Sequence, residues 1–301
     1  MHKEFLMGNA AIALGAVAAG VNVVAGYPGT PSTEVLETIA KHRPDDVYVE
    51  WSVNEKAAME LAAGASYAGA RSMVTMKQVG LNVASDPLMS LEYVGIKGGM
   101  VILVADDPGP ISSQTEQDTR HFSRFSKLPC FDPSSAQEAY EMIQEAFEYS
   151  EKYGTPVFLR PTTRVCHGYA SIMVKDETEY THHQPEGFIK DSKRWVIFPR
   201  LSFMNHKKIE ARNQELSDIF SSYEKNTIHP SCDAFKNSKK GIATGGISYT
   251  YTMETLKKTG MVKTLKIATP HPFPEKLAVD FLSGLDEVLC LEELDPVIER
   301  E

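Results

Sequence analysis

The chain has 301 residues, of which 42% are hydrophobic and 24% are charged, as is ordinary for a water-soluble globular protein. Its net charge is −9 and no basic stripe offsets it, which argues against a nucleic-acid partner. No run approaches the roughly 20 apolar residues of a membrane helix, and residues 1–8 lack a signal-peptide pattern, so we expect a cytoplasmic protein without membrane contact. The cysteines are widely spaced, which predicts neither a zinc site nor an iron–sulfur cluster: Cys130, Cys166, Cys232 and Cys290.

Strand and helix patterns alternate over the first 165 residues. The continuous apolar run from Met100 to Ala105 is typical of a strand in the middle of a parallel sheet. Repeated βα units of this kind predict an α/β fold with a doubly wound parallel sheet. The predicted strands are 21–25, 47–51, 72–76, 100–105 and 156–160, and the predicted helices are 9–19 capped by Asn9, 30–42 opened by Thr30 and Pro31, 54–70, one opened by Ser85-Asp86-Pro87, and 134–153 capped by Ser134 or Ser135.

The pattern changes after this first region. Residues 173–240 are polar and without period, which predicts an exposed connecting segment with one surface helix at 209–223. Strand and helix alternate again over 241–301, which predicts a second, smaller α/β domain. We therefore expect a first domain at 1–172, the connecting segment, and a last domain that is incomplete because the sequence stops while entering another helix.

Three polar motifs follow predicted strands, where ligands bind in such sheets. Residues 26–33 turn into a helix and offer N–H groups and the Thr30 hydroxyl to a carboxylate or carbonyl oxygen, although a simple N-cap is the plainer interpretation. Glu55 is either an ordinary first-turn acid, which spacing alone favours, or a partly buried acid that shares a proton with a ligand. Gly80, within residues 76–82, allows a flat ligand to approach the backbone, and a structural turn explains it equally well.

Taken together, these motifs resemble the thiamine-diphosphate pyrimidine-binding domain of the 2-oxoacid:ferredoxin oxidoreductase family, and within it the large subunits that act on indolepyruvate. The resemblance covers about residues 5–170 and continues more weakly over 241–301, which is similar to a transketolase C-terminal domain and whose clearest match is Glu292 to Pro296. The matching motifs of the first region are Tyr27 to Ser32, Asn54 to Lys56, Gly64 to Ala70, Met76-Lys77, Gly80 to Asn82, Ala105 to Pro108, Ser112 to Gln114, Glu116 to Asp118, Arg120, and Thr162 to Arg164.

The resemblance implies a role for each matching position. Glu55 is the catalytic acid that bonds N1′ of the cofactor's aminopyrimidine, and we expect it to be buried against Ala57 and Ala58. Thr30 lies near the substrate's carbonyl and carboxylate as a second catalytic residue. The remaining cofactor-binding positions are Gly29, Gly80, Leu81 and Asn82.

Two basic residues are implied to bind the substrate. Lys77 is implied to line the pocket. Arg120 is the candidate residue for binding the substrate carboxylate, and Arg124 is the alternative. For both arginines, a surface ion pair without a role in binding is an equally good explanation. Gln78 stands where the family pattern leads us to expect histidine, which leaves the substrate preference open. Asp106 and Asp107 are predicted to structure a loop, and no metal site is predicted in this chain.

The implied reaction is oxidative decarboxylation of an arylpyruvate with CoA to an aryl-acetyl-CoA, with ferredoxin as electron acceptor and a smaller beta subunit as partner. Because no Gly-Asp-Gly motif or ferredoxin-type cysteine run is present, we expect Mg²⁺ and the 4Fe-4S clusters in a part of the enzyme outside this stretch, which alone should be inactive. The alternatives are an enzyme for pyruvate or a branched-chain 2-oxoacid, a non-redox 2-oxoacid decarboxylase, and a non-catalytic assembly module. The presence of Glu55 and Thr30 argues against the assembly module.

Overall fold

A computed structural model describes all residues from 1 to 301. The strands are β1 His2–Met7, β2 Val23–Gly26, β3 Tyr48–Trp51, β4 Ser72–Lys77, β5 Met100–Ala105, β6 Cys130–Phe131, β7 Val157–Leu159, β8 Tyr169–Val174, β9 Thr227–His229, β10 Lys240–Gly245, β11 Lys263–Ile267 and β12 Glu287–Leu291. The helices are α1 Gly8–Ala18, α2 Thr33–His42, α3 Glu55–Tyr67, α4 Gln78–Val94, α5 Thr119–Ser126, α6 Ala136–Tyr153, α7 Thr163–His167, α8 Ser192–Trp195, α9 Pro199–Phe220, α10 Gly246–Thr259, α11 Glu275–Leu282 and α12 Val297–Arg300.

The main sheet has six parallel strands in the order β3-β2-β4-β5-β7-β6. Strand β5 lies inside the sheet and all six of its residues are buried, as its unbroken apolar run predicts. The predicted doubly wound α/β fold is therefore confirmed. Because every strand of this sheet points the same way, their carboxyl ends lie at one edge, which we call the carboxyl edge, and the opposite one is the amino edge.

Alternate residues of the central strands enter two separate apolar layers. Val101 and Leu103 of β5 belong to the layer that includes α1, α2 and α6, whereas Ile102 and Val104 belong to the layer that includes α3 and α4. This alternation follows from the two-residue repeat of a strand, and it explains why the sheet needs helices on both faces.

Three predicted helix starts are wrong. Helix α1 begins at Gly8, so Asn9 lies inside it and donates to the carbonyl of Pro31 at 2.6 Å instead of capping the helix. Helix α2 begins at Thr33 rather than at Thr30, because the hydroxyl of Thr33 accepts a 2.9 Å hydrogen bond from Gly29 N–H and keeps the preceding turn outside the helix. The helix predicted to open at Ser85 begins instead at Gln78 and continues through Pro87. Buried side chains before and after the proline hold α4 on the sheet, which offsets the roughly 3 kcal/mol cost of an interior proline: Leu81, Ala84, Leu88 and Leu91.

Residues 173–240 are only partly the exposed connection that the sequence predicted. Helix α9 is longer than the predicted surface helix, and it buries Leu216 and Phe220 in the core of the main sheet together with Tyr223. The rings of Phe131 and Phe220 meet edge to face, with centroids 5.7 Å apart. This aromatic packing gives the segment the buried contacts that its charged composition concealed.

A second sheet has the strand order β12-β10-β11-β9. Its first three strands are parallel, and β9 pairs with β11 in the antiparallel direction. Strand β9 lies within residues 173–240, so this sheet takes one strand from the predicted connecting segment. The division at residues 172 and 240 stays a prediction. No helix of the chain is long and apolar enough to cross a membrane.

Candidate active site

The first two motifs meet at the carboxyl edge because β2 and β3 are neighbours in the sheet. Strand β3 leads into Asn54, whose extended backbone and side chain cap α3 by accepting a 2.9 Å hydrogen bond from Ala57 N–H. This cap makes Glu55 the first residue of α3 and fixes its side chain at the edge where β2 also ends.

Glu55 lies directly against the start of α4. A Cβ atom placed on Gly80 would stand 2.5 Å from Glu55 Oε1 and 2.8 Å from Cδ. Only glycine therefore allows the carboxyl group to approach the helix so closely. The prediction that Glu55 is buried against Ala57 and Ala58 is wrong, because its carboxyl group packs on Gly80 and the side chain is only half-buried.

Lys77 joins the turn after β2 to the loop after β5. Its side-chain carbons cover Gly29, where an added Cβ atom would lie 3.1 Å from Lys77 Cγ. The ammonium group donates a 3.0 Å hydrogen bond to Gln114 Oε1. Lys77 and Gly29 belong to different motifs of the sequence and were predicted to bind the substrate and the cofactor, respectively. The fold brings them together at the carboxyl edge.

The loop after β5 also covers the first turns of α4. Asn82 donates to Gln117 Oε1 at 3.2 Å, and Gln78 donates to the carbonyl of Thr115 at 3.2 Å. Gln78 is buried and its Oε1 atom has no hydrogen-bond partner. Leu81, which was predicted to bind the cofactor, differs from Gln78 and Asn82. Its side chain is buried in the apolar core between the sheet and helices α3 and α4 and is not exposed at the carboxyl edge.

Thr30 is exposed at the tip of the turn after β2. It does not cap α2, whose N-cap position is Ser32 and has no side-chain cap. The turn before the helix is instead closed by Ser32, which donates to the carbonyl of Gly29 at 3.0 Å, and by Thr33, which accepts from Gly29 N–H. Thr30 is thus an exposed residue beside the other motifs of the carboxyl edge.

Arg120 cannot be the carboxylate clamp that the sequence suggested. Its side chain is 2% exposed and is held by Asp118 at 2.6 Å and by Glu292 at 2.7 Å. Its remaining contacts are the carbonyls of Glu293 and Asp295. All of these bonds connect helix α5 to the segment after β12 or to Asp118, so every nitrogen of the guanidinium group already has a partner within the chain. The alternative, Arg124, is 62% exposed and pairs with Glu301.

A buried charge network behind the carboxyl edge was missed by the sequence analysis. Arg160 follows β7 and binds Asp106 at 2.6 Å and Asp132 at 3.2 Å. Burial raises the pKa of Asp132 to about 6 against the attraction of Arg160. Although burial penalises its charge, Asp118 has its pKa lowered to about 2 by Arg160 and Arg120. The only signal in the sequence was that Asp106 and Arg160 each follow an apolar strand.

The two acids after β5 anchor the loop, as predicted. Asp106 accepts a 3.0 Å hydrogen bond from Thr119 N–H, and Asp107 accepts from Ser112 N–H at 2.8 Å and from the Thr163 hydroxyl at 2.7 Å. These contacts fix both ends of the loop that carries Gln114, so they position it over Lys77.

A doubly wound sheet with an acid packed at its carboxyl edge places the chain among the α/β proteins that bind a cofactor or substrate at that edge. The family model described as "Pyruvate flavodoxin/ferredoxin oxidoreductase, thiamine diP-bdg" matches residues 14–240. The chain belongs to this family of thiamine-diphosphate-binding domains, which confirms the resemblance seen in its motifs.

Curated relatives match along almost the whole chain. The indolepyruvate oxidoreductase subunit IorA of Methanothermobacter thermautotrophicus is 43% identical over 99% of this chain and 48% of its own length. The subunit of the same name from Pyrococcus abyssi is 43% identical over 100% of this chain and 47% of its own length. The chain thus spans about half the length of the curated relatives it matches.

Two solved structures share the fold. A 2-oxoglutarate:ferredoxin oxidoreductase from Magnetococcus marinus, solved with 2-oxoglutarate, coenzyme A and succinyl-CoA bound, has a TM-score of 0.76 at 18% identity, covering 96% of this chain and 57% of that one. A split-gene transketolase, in an inactive beta4 tetramer, has a TM-score of 0.58 at 15% identity and covers 95% and 78%. At these identities the likeness concerns the fold alone.

Proposed function

We propose that this chain supplies the pyrimidine-activating half of an indolepyruvate:ferredoxin oxidoreductase. The complete enzyme would convert an arylpyruvate, CoA and oxidised ferredoxin to an aryl-acetyl-CoA, CO₂ and reduced ferredoxin. Family membership and the 43% identity to subunits named for indolepyruvate support this reaction. The observation that carries the proposal is the contact of the Glu55 carboxyl group with Gly80 at the carboxyl edge.

The residues at this edge suit thiamine diphosphate. Glu55 would exchange a proton with N1′ of the aminopyrimidine, because its carboxyl group is fixed by the capped start of α3 and by Gly80. Gly29 and Asn82 would line the same cofactor site. When bound, thiamine diphosphate supplies the carbon that attacks the 2-oxoacid and accepts the electrons left by CO₂. Mg²⁺ and the 4Fe-4S clusters would be held by parts of the enzyme outside this chain.

Two side chains are proposed to contact the substrate. The exposed hydroxyl of Thr30 would donate to its carbonyl or carboxylate oxygen. Lys77, which lies over Gly29 and is steadied by Gln114, would attract the carboxylate. This assignment replaces Arg120, whose guanidinium group is already fully engaged within the chain.

A partner is proposed to cover the carboxyl edge. Large apolar side chains are exposed on the loops and first turns around the site, among them Val53, which is 84% exposed. Exposed apolar groups clustered beside a polar site are typical of an interaction surface. We assign this surface to the rest of the enzyme, including the smaller beta subunit, in a cytoplasmic assembly. The other exposed members are Tyr27, Val83 and Ile111.

The test is an assay of the complete two-subunit enzyme with indolepyruvate and CoA. We expect reduction of ferredoxin and formation of the aryl-acetyl-CoA, with lower rates for pyruvate and for branched-chain 2-oxoacids. Reduction of NAD without ferredoxin would contradict the proposed electron acceptor. A preference for pyruvate would keep the reaction class and refute the substrate.

A further inference from the structure

A cavity of about 420 Å³ lies at the amino edge of the main sheet, at the opposite edge from Glu55. Its walls are the end of α4, the end of α6 and the segment 191–212 that carries α8 and α9. We call it the amino-edge cavity. Its volume falls within the range of about 300–1,000 Å³ that is usual for small-molecule sites.

Two buried polar atoms in the wall of this cavity have no hydrogen-bond partner. They are Glu92 Oε2 and the hydroxyl of Tyr153. Glu92 is 3% exposed, and only its other oxygen is engaged, by Arg212 at 3.0 Å. An unpaired buried polar atom costs about 1–3 kcal/mol, so two of them in one cavity point to a ligand that supplies the missing partners.

The charges around the cavity favour an anion. Two of the four basic residues already have partners within the chain. Arg194 donates to the carbonyl of Ile96 at 2.6 Å. Arg212 binds Glu92 and the carbonyl of Lys127. Lys193 and Lys208 lie exposed at the rim, where only Asp191 adds a second acid to Glu92.

Glu92 itself favours an anion at neutral pH. Burial raises the pKa of Glu92 to about 8 even though Arg212 and Lys127 oppose the shift. The carboxyl group therefore carries a proton below that pH and can donate it in a hydrogen bond. The Tyr153 hydroxyl, which also lies unpaired in the wall of the cavity, is a second hydrogen-bond donor.

Part of the wall is apolar. Tyr93, Leu201 and Ile209 contribute ring and aliphatic surface beside the two donors. Such a surface contributes little to binding a bare inorganic anion, whereas it would bury the hydrocarbon part of an organic one. The site thus combines an anion-binding end with an apolar wall.

We propose that the amino-edge cavity binds a small carboxylate with an apolar body, whose carboxylate accepts hydrogen bonds from Glu92 and Tyr153 and is attracted by Lys193 and Lys208. This site is separate from the proposed reaction at the carboxyl edge. It assigns the chain a second ligand, bound where it does not compete with the 2-oxoacid.

The test is calorimetric titration of the 301-residue chain with three probes. Phenylacetate carries both features, inorganic phosphate lacks the apolar body, and 2-phenylethanol lacks the charge. We expect phenylacetate to bind measurably more tightly than either of the others. Tyr153→Phe and Lys208→Gln should each weaken its binding about tenfold, as expected for a lost hydrogen bond or charge.

Controls separate this site from non-specific binding. Lys207→Gln removes the neighbouring charge of α9 that does not line the cavity, so it should bind phenylacetate like the wild type. Circular dichroism should confirm that each variant is folded. Phenylacetate affinity of the wild type should fall as the pH rises through about 8, where Glu92 becomes charged, whereas Glu92→Gln should bind equally well on both sides of that pH.

Four outcomes would overturn the proposal. They are the absence of phenylacetate binding, equal loss in the Lys207 and Lys208 variants, tighter binding of phosphate than of phenylacetate, and equal binding of 2-phenylethanol. The third outcome would assign the cavity to an inorganic anion or a phosphate group, and the fourth would show that the apolar wall alone is responsible.

Discussion

The carboxyl group of Glu55 lies against the backbone of Gly80, so close that a Cβ atom at Gly80 would stand 2.5 Å from Glu55 Oε1. Glu55 begins α3 and Gly80 lies in the first turn of α4, and the two helices follow the strands β3 and β4 on either side of β2. The contact therefore holds an acid from one βα unit against the backbone of another, at the edge where ligands bind in such folds.

Replacement of Glu55 by Gln should abolish most of the activity of the complete enzyme. The amide keeps the size of the side chain but cannot share a proton, and loss of one acid–base group typically costs roughly 10²–10⁴ in rate. Turnover and hydrogen exchange at C2 of the thiazolium should both fall by that order, with a much smaller effect on cofactor binding. Glu60→Gln is the control, because Glu60 is exposed on the same helix. Near-normal exchange in Glu55→Gln would show that the acid is wrongly placed.

Replacement of Gly80 by Ala should reproduce that defect without touching the acid. The added methyl group would collide with the Glu55 carboxyl group and displace it. We expect turnover of the complete enzyme to drop at least about tenfold, since misplaced catalytic groups lose rate steeply. The matched control is Gly64→Ala, because Gly64 lies within α3 and an added Cβ there meets nothing within 4 Å. That variant should be as active as the wild type and slightly more stable, by up to about 1 kcal/mol. Full activity in Gly80→Ala would refute the role of this contact.

Arg120→Gln should destabilise the chain strongly. It would remove the only basic partner of the buried Glu292 carboxylate and one of the two basic partners of Asp118, and breaking a buried ion pair typically costs about 3–5 kcal/mol. Urea unfolding followed by circular dichroism measures the loss. Arg124→Gln should change the free energy of unfolding by less than about 1 kcal/mol, because its ion pair is exposed. Unchanged stability together with a raised KM for the 2-oxoacid would instead restore Arg120 as the substrate clamp.

Limited proteolysis should cut first within residues 181–198, not throughout 173–240. Residues 184–191 are exposed and belong to no helix or strand, whereas α9 buries Leu216 and Phe220 in the core. Trypsin should therefore cleave after Lys190 well before it cleaves after Arg212, which is held by Glu92. Mass spectrometry of the first fragments identifies the site. Early cuts within residues 20–160 would contradict the stability of the first domain.

Local features of the sequence determined much of the main sheet. The apolar run Met100–Ala105 is strand β5 to the residue, and Ser135 caps α6 as its side chain predicts. Glu55 could be chosen because its motif resembles a family pattern and because Asn54 marks the start of a helix. These signals depend on residues within one or two turns of each other, where strand periodicity and capping act.

Tertiary structure decided what the charged and polar side chains do. Arg120 stands beside Asp118 in sequence, but its other partner, Glu292, is 172 residues away and could not be read from the local pattern. In the same way, Gly80 acquires its role only from Glu55, and the buried ends of Asp106 and Arg160 meet only because β5 and β7 are neighbours in the sheet. Such contacts depend on which strands pair and on how burial strengthens a charge pair, and neither is encoded in the spacing of a single segment.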